Sequence, residues 1–237
     1  MTSVRAIGDR LQALLDEPAS LEGVAGGVVG VAIGDEGIVL AHGSANLNTH
    51  QPFTEDTGFL LGSVTKLLTT TVLMRLVERG LVDLDAPAQR YVPDFALSDK
   101  DAAAHITVRM LVNHTNGIDA DALCPHSVRG RDASRHYMSY LTKLGVLFEP
   151  GVCVHYSNPG FVVAARVIEE ITGAPFERAI QIELFDPAGM REATAVQTQA
   201  FLRRTAVGAY ADPETKALKA SHVFTLGEGL AGGGTTV

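Results

Sequence analysis

Phe59-Leu60-Leu61-Gly62-Ser63-Val64-Thr65-Lys66, followed by the uncharged run Leu67 to Met74, is the stretch that decides how this chain is read. Ser63 and Lys66 are three residues apart, a spacing that puts both on one helix face with Cβ atoms about 5–6 Å apart. A serine hydroxyl is a weak nucleophile until a neighbouring base takes its proton, and an unprotonated lysine amine can do so. Lysine ordinarily keeps its proton, so such a site is expected to depress the amine by burial or by nearby positive charge. The apolar run after Lys66 predicts a buried helix that would supply this. Taken alone, the tetrapeptide also fits an N-capping serine beside an exposed lysine.

A second constellation lies ninety residues beyond Lys66, in Glu149-Pro150-Gly151-Val152-Cys153-Val154-His155-Tyr156-Ser157-Asn158-Pro159-Gly160-Phe161. The Tyr156 phenol can carry a proton beside a Ser/Lys pair. The Asn158 amide can orient both the lysine and a substrate carbonyl or amide. Pro150-Gly151 predicts a turn, and Asn158-Pro159 a helix start with Pro159 at its first position. Tyr156 and Asn158 are thus expected in a loop that enters a helix, where side chains can be aimed into a cleft.

Together these segments resemble the first two motifs of the serine β-lactamase and penicillin-binding-protein superfamily, and most closely its class C branch of β-lactamase-related esterases and D-aminopeptidases or carboxypeptidases. Further stretches are similar in order and spacing. They are Gly80 to Pro87 with Tyr91-Val92-Pro93, Ile106 to Ile118 with Asn116 where the family's His-Thr-Ser-Gly turn has serine, Glu170 to Gly173, and Phe185 to Met190. The resemblance implies an α+β, β-lactamase/transpeptidase-like fold, a helical lobe packed on a five-stranded antiparallel sheet with the site between them. It also implies catalytic roles for Ser63, Lys66 and Tyr156, a substrate-binding role for Asn158, and one oxyanion donor from the Ser63 backbone N–H. The class C likeness implies that deacylation uses water activated near Tyr156; no Glu-x-x-x-Asn segment of the class A type is present.

The third family motif, Lys-Thr-Gly or His-x-Gly on a strand lining the site, is not found. The ending Gly229-Leu230-Ala231-Gly232-Gly233-Gly234-Thr235-Thr236 resembles a stretch the family carries well before that strand. The expectation is a domain of residues 1–237 lacking its carboxy-terminal part: helix and strands over 1–57, a helical lobe with the motifs over 58–190, and a hairpin with a glycine-rich end over 191–237. Only two strands of the family's sheet are expected here. Such a chain is expected to be nearly inactive, and to self-associate or to need a complementing carboxy-terminal segment.

Composition narrows the function classes. With 237 residues, 46% of them hydrophobic, the chain can bury a substantial core. A net charge of −8 argues against nucleic acid, whose binders present basic patches. The amino terminus enters an amphipathic helix carrying Val4, Ile7, Leu11, Leu14 and Leu15, and Gly8-Asp9-Arg10 interrupts any signal-peptide core. No stretch is long enough to span a membrane. A cytoplasmic protein is expected, or a periplasmic or secreted one if a leader was cleaved. Cys124 and Cys153 define neither a disulfide framework nor a metal site, and the eight histidines lack ligand spacing, so no metal or cofactor is expected. His114 with Asp119 suggests a Ser-His-Asp triad, but the chain lacks G-x-S-x-G, and the resemblance makes this histidine structural. The expected function is a serine hydrolase forming an acyl-enzyme on a small ester, β-lactam or peptide, with carboxylesterase favoured. The alternative is a truncated, non-catalytic homologue that binds a ligand or protein.

Overall fold

A computed structural model describes residues 3–17, 22–119, 133–200 and 202–221. The described residues divide into two compact units, one running to Phe59 and resuming at Thr198, the other Leu60–Gln197. The glycine-rich end and Cys124 lie outside the described residues.

The first unit opens with α1 (Val4–Leu15), capped by the Ser3 hydroxyl, which accepts the Ala6 N–H at 3.2 Å. Strands β1 (Gly26–Ile33) and β2 (Glu36–Asn46) form the expected hairpin, with Ile33 paired to Glu36 across the two-residue turn Gly34-Asp35. β3 (Gln51–Pro52) pairs with β2 past a bulge between Ser44 and Asn46. Its two residues are too few to show a period-2 pattern in the sequence. A second hairpin joins β4 (Ala209–Ala211) to β5 (Leu218–Ala220), within the stretch where the sequence leads one to expect it.

The second unit is helical: α2 (Thr65–Glu78), α3 (Lys100–His105), α4 (Val108–Val112), α5 (Ala133–Leu141), α6 (Asn158–Thr172) and α7 (Phe176–Ile180). The last of these runs into one turn of π-helix, Gln181–Phe185; the short α8 (Gln197–Ala200) begins at the last residue of this unit and continues into the first. At its centre is α6, whose residues Pro159 to Ile168 are all buried. A helix apolar on every side has to be covered on every side, and α2, α4, α5 and α7 do this. Its ends are fixed by the Ser157 cap and by Gly173 in the left-handed conformation at φ 67°. Ser157 is therefore the cap, and Pro159 follows Asn158 rather than leading the helix.

α2 is only half as buried as the apolar run predicts. Thr65, Lys66, Thr69, Val72, Leu73 and Leu76 face inward, while Leu67 and Met74 are exposed. The buried set recurs at intervals of three and four, so helical period rather than hydrophobicity selects the inward face.

One polar network sits deep in this unit. Glu169 on α6 accepts bonds from the Ser134 hydroxyl (2.9 Å), Arg166 (3.1 Å) and the Phe176 N–H (3.1 Å), joining α5, α6 and α7. Arg166 also pairs with Glu170, while its Nε is buried without a partner. Removing one member of a buried ion pair strands the other's charge, at about 3–5 kcal/mol. Glu170 retains part of the compensation. Glu169→Ala should therefore destabilise the protein by about 3 kcal/mol in denaturant unfolding, near the low end of that range, and Glu169→Gln should cost less.

Candidate active site

Ser63 lies in a short 3-10 turn, Gly62–Val64, that leads directly into α2. Gly62 takes φ 54°, a left-handed conformation that suits glycine, and this sharp entry leaves Ser63 exposed. Lys66, one turn on, is buried at 5% exposure. Its Nζ donates to Ser63 Oγ at 3.2 Å. The same ammonium lies 4.8 Å from the centre of the Tyr156 ring and 5.5 Å from that of Phe161. Both are within the range where an aromatic face attracts a cation.

Tyr156 reaches this position on an extended segment between the Pro150-Gly151 turn and α6. Partial burial opposes its ionisation, but hydrogen bonds from Lys66 and Ser63 and the Lys66 charge outweigh that, so the phenol is held below its usual range. The structure thus brings Ser63, Lys66 and Tyr156 together. Asn158, half-buried in the first turn of α6, is positioned by the helix start two residues beyond Tyr156.

The tyrosine segment is held by the turn that begins at His114. Residues 114–119 run antiparallel to 145–155. The Gly145, Gly117, Thr115 and His114 carbonyls carry this pairing, accepting from the N–H groups of Asp119 (3.2 Å), Leu147 (2.8 Å), Gly151 (2.8 Å) and His155 (2.8 Å) respectively. Asn116, fully buried, accepts from the Ser157 hydroxyl and the Ile118 N–H, both at 3.0 Å, and donates to the Met110 carbonyl at 3.2 Å. Ser157 in turn accepts the Gly160 N–H at 3.1 Å, which caps α6. Gly160 lets the two segments close up: a Cβ there would come within 2.5 Å of Asn116 Nδ2 and 2.8 Å of the Leu111 carbonyl. The Asn116 amide therefore does in one residue what the two segments need, since it can both donate and accept.

His114 completes the arrangement. Its backbone is left-handed at φ 66°, and its Nδ1 accepts the Ser157 N–H at 3.0 Å. Its ring stacks on Tyr156, with centroids 4.6 Å apart and planes 26° apart, and tilts against Phe161 at 5.2 Å. Burial, and then the Lys66 charge, push its protonation below the usual range. No bond joins His114 to Ser63 among the described contacts, and the triad suggested by the sequence has no geometric support. Among the described residues no three His, Cys, Asp or Glu side chains gather as a metal-binding group, and no helix is long and apolar enough to cross a membrane.

The chain belongs to the β-lactamase family, whose model, described as Beta-lactamase, matches residues 11–235. It is similar to penicillin-binding protein 4 of Amycolatopsis lactamdurans, at 30% identity over 168 residues, 71% of this chain and 44% of that protein. It is also similar to esterase EstB of Burkholderia gladioli, at 29% identity over 212 residues, 82% of this chain and 53% of that protein. Among solved structures, the D-amino acid amidase from Ochrobactrum anthropi SV3, complexed with L-phenylalanine amide, matches with a TM-score of 0.80 and 27% identity. That match covers 97% of this chain and 66% of the amidase. The expected β-lactamase/transpeptidase-like α+β fold is the one observed. The chain spans about half the length of the curated relatives it matches.

The site geometry makes a prediction about ionisation. Titrated by ultraviolet absorbance, with Tyr156→Phe subtracted to isolate the one phenol, Tyr156 should ionise below the ordinary value of about 10. Lys66→Met removes the hydrogen bond and the charge but leaves the burial, so the phenol should then titrate above that value. A midpoint unmoved by Lys66→Met would show that the lysine does not act on it.

Proposed function

We propose that this is a serine hydrolase that works through an acyl-enzyme on an ester or amide, with a carboxylic ester the favoured substrate. The observation that carries the reading is the convergence of Ser63, Lys66 and Tyr156, with the lysine bonded to the serine oxygen and lying under the tyrosine ring. In this reading the Ser63 oxygen attacks the carbonyl carbon while its proton passes to the Tyr156 oxygen. The Lys66 ammonium stabilises the phenolate and shares in delivering the proton to the departing alkoxide or amine. A new C–O bond to Ser63 forms as the bond to the leaving group breaks. Water then attacks the acyl-enzyme, giving a proton to Tyr156; as the acyl C–O bond breaks, the departing Ser63 oxygen takes that proton back from Tyr156, and the acid is released. The Ser63 backbone N–H, at the start of a helix, is one oxyanion donor and gains from the helix dipole. Asn158 orients the substrate carbonyl or amide.

The preference for an ester with an apolar acyl or alcohol group is supported by the side chains beside the reacting residues. Val64 and Leu67 flank Ser63 and Lys66 in sequence, Val152 and Val154 precede Tyr156, and all four are exposed. The similarity to an esterase, EstB, agrees with this preference, whereas the similarities to a penicillin-binding protein and a D-amino acid amidase keep β-lactams and amides as the alternatives.

A fluorophosphonate probe should label a carboxy-terminally extended, complete form of the protein once, at Ser63, and Ser63→Ala should abolish labelling. Among p-nitrophenyl butyrate, a D-amino acid amide and a chromogenic cephalosporin, the ester should react fastest with Ser63. Labelling that persists in Ser63→Ala would overturn the nucleophile, and a faster amide or cephalosporin would overturn the substrate preference.

A further inference from the structure

The proposed mechanism uses Ser63, Lys66, Tyr156 and Asn158, and leaves His114 without a task. Yet His114 touches the chemistry from one side only, through Tyr156. Its ring lies nearly parallel to the phenol at 4.6 Å, while the Lys66 ammonium approaches the same phenol ring at 4.8 Å. Tyr156 itself is about half exposed, and a half-exposed aromatic on an extended segment has rotamer freedom that its own burial does not remove. Something else has to hold the ring over the lysine.

The means of holding is visible in the bonds His114 makes. Its Nδ1 accepts the N–H of Ser157, the residue after Tyr156, and its carbonyl accepts the N–H of His155, the residue before it. The backbone on both sides of Tyr156 is thus tied to one residue, whose ring also stacks on the tyrosine. An accepting Nδ1 carries a lone pair, so the remaining ring proton is on Nε2 and the imidazole is neutral. The charged and titratable groups that face it are Lys66 from α2 and Tyr156 from the tyrosine segment. The nearby ammonium favours the neutral ring. The left-handed backbone at φ 66° aims the ring inward from the end of the turn, a conformation that costs energy for a residue other than glycine.

We propose that His114, as the neutral Nε2–H tautomer, is a positioning residue that fixes the Tyr156 ring and phenol at Ser63 and Lys66, and so sets the rate of acyl transfer without itself transferring a proton. The inference rests on the reading of Tyr156 as the proton carrier. It makes His114 responsible for geometry rather than for nucleophile activation, which separates it from the triad role its residue type suggests.

The test uses His114→Asn, because asparagine tolerates a left-handed backbone and offers an oxygen to the Ser157 N–H but has no ring to stack. The expected result is a folded protein whose Ser63 labelling by the fluorophosphonate is slowed by about 10–10²-fold, the scale of a small misplacement of a reacting group. The Tyr156 phenol should titrate at higher pH in this variant, since a ring that drifts from Lys66 loses the bond and the charge that favour its anion. A role confined to stability would lower the melting temperature while leaving both the labelling rate and the phenol titration at wild-type values, and that result would overturn the proposal. If the wild type shows no Ser63-dependent labelling, the nucleophile reading fails, and the phenol titration still decides whether His114 positions Tyr156. Should His114→Asn not fold, ¹⁵N NMR of the wild-type histidines decides the question. A neutral Nε2–H ring for His114 at pH 7 is expected, and an Nδ1–H tautomer or an imidazolium there would refute the assignment.

Discussion

A buried ammonium organises this site. Lys66 is nearly without solvent, and an ammonium removed from water costs several kcal/mol unless other groups replace its hydration. Here the replacement is the Ser63 oxygen at 3.2 Å together with the faces of Tyr156 and Phe161. Tyr156, one of the groups that stabilise the cation, is thereby brought to the serine. The constraint also explains the asymmetry of α2, which turns Lys66 and Val72, Leu73 and Leu76 inward while Leu67 points outward. The helix orientation that buries its apolar residues also buries the lysine.

The arrangement depends on two chain segments that have no local reason to meet. The turn His114 to Gly117 and the stretch around Tyr156 are far apart in sequence, and closing that loop costs entropy that grows only slowly with length. The return comes from backbone pairing along 114–119 and 145–155, from the Asn116 amide bonded to the cap of α6, and from the close approach that Gly160 permits. Position at the Tyr156 oxygen is thus set by a chain of contacts that begins in the core of α6 and α4. A rigid helix carries the lysine, a rigid helix start carries the serine cap, and the tyrosine is held between them.

Much of this is legible in the residues. Ser63 and Lys66 announce themselves because helical period fixes their mutual position whatever surrounds them, and Tyr156 stands out by its place before a proline-marked helix start. The hairpin at Gly34-Asp35 and the helix over α6 follow from turn chemistry and from unbroken hydrophobicity. The supporting layer is not legible in the same way. His114 reads as part of a turn, and its stacking on Tyr156 depends on a tertiary approach that no local pattern encodes. The pairing of Asn116 with Ser157 has the same origin. The available signal is that both residues sit in polar turns, Asn116 just before Gly117 and Ser157 between Tyr156 and Asn158. The exposure of Leu67 and Met74 escapes a sequence reading because an apolar run says that a helix is hydrophobic, whereas only packing says which sides are covered. The two-residue β3 and the π-turn at Gln181–Phe185 are too short to leave a periodic trace.

If Ser63, Lys66 and Tyr156 form one proton-transfer unit, their energetic contributions cannot be independent. The most direct measurement is a double-mutant cycle on the rate at which Ser63 is acylated, comparing Lys66→Ala, Tyr156→Phe and the pair. Each single change is expected to slow acylation by about 10²–10⁴-fold, and the pair by little more than the larger single effect, because groups that act together are lost together. Losses that multiply in the double variant would mean that the lysine and the tyrosine act separately, and would contradict the account.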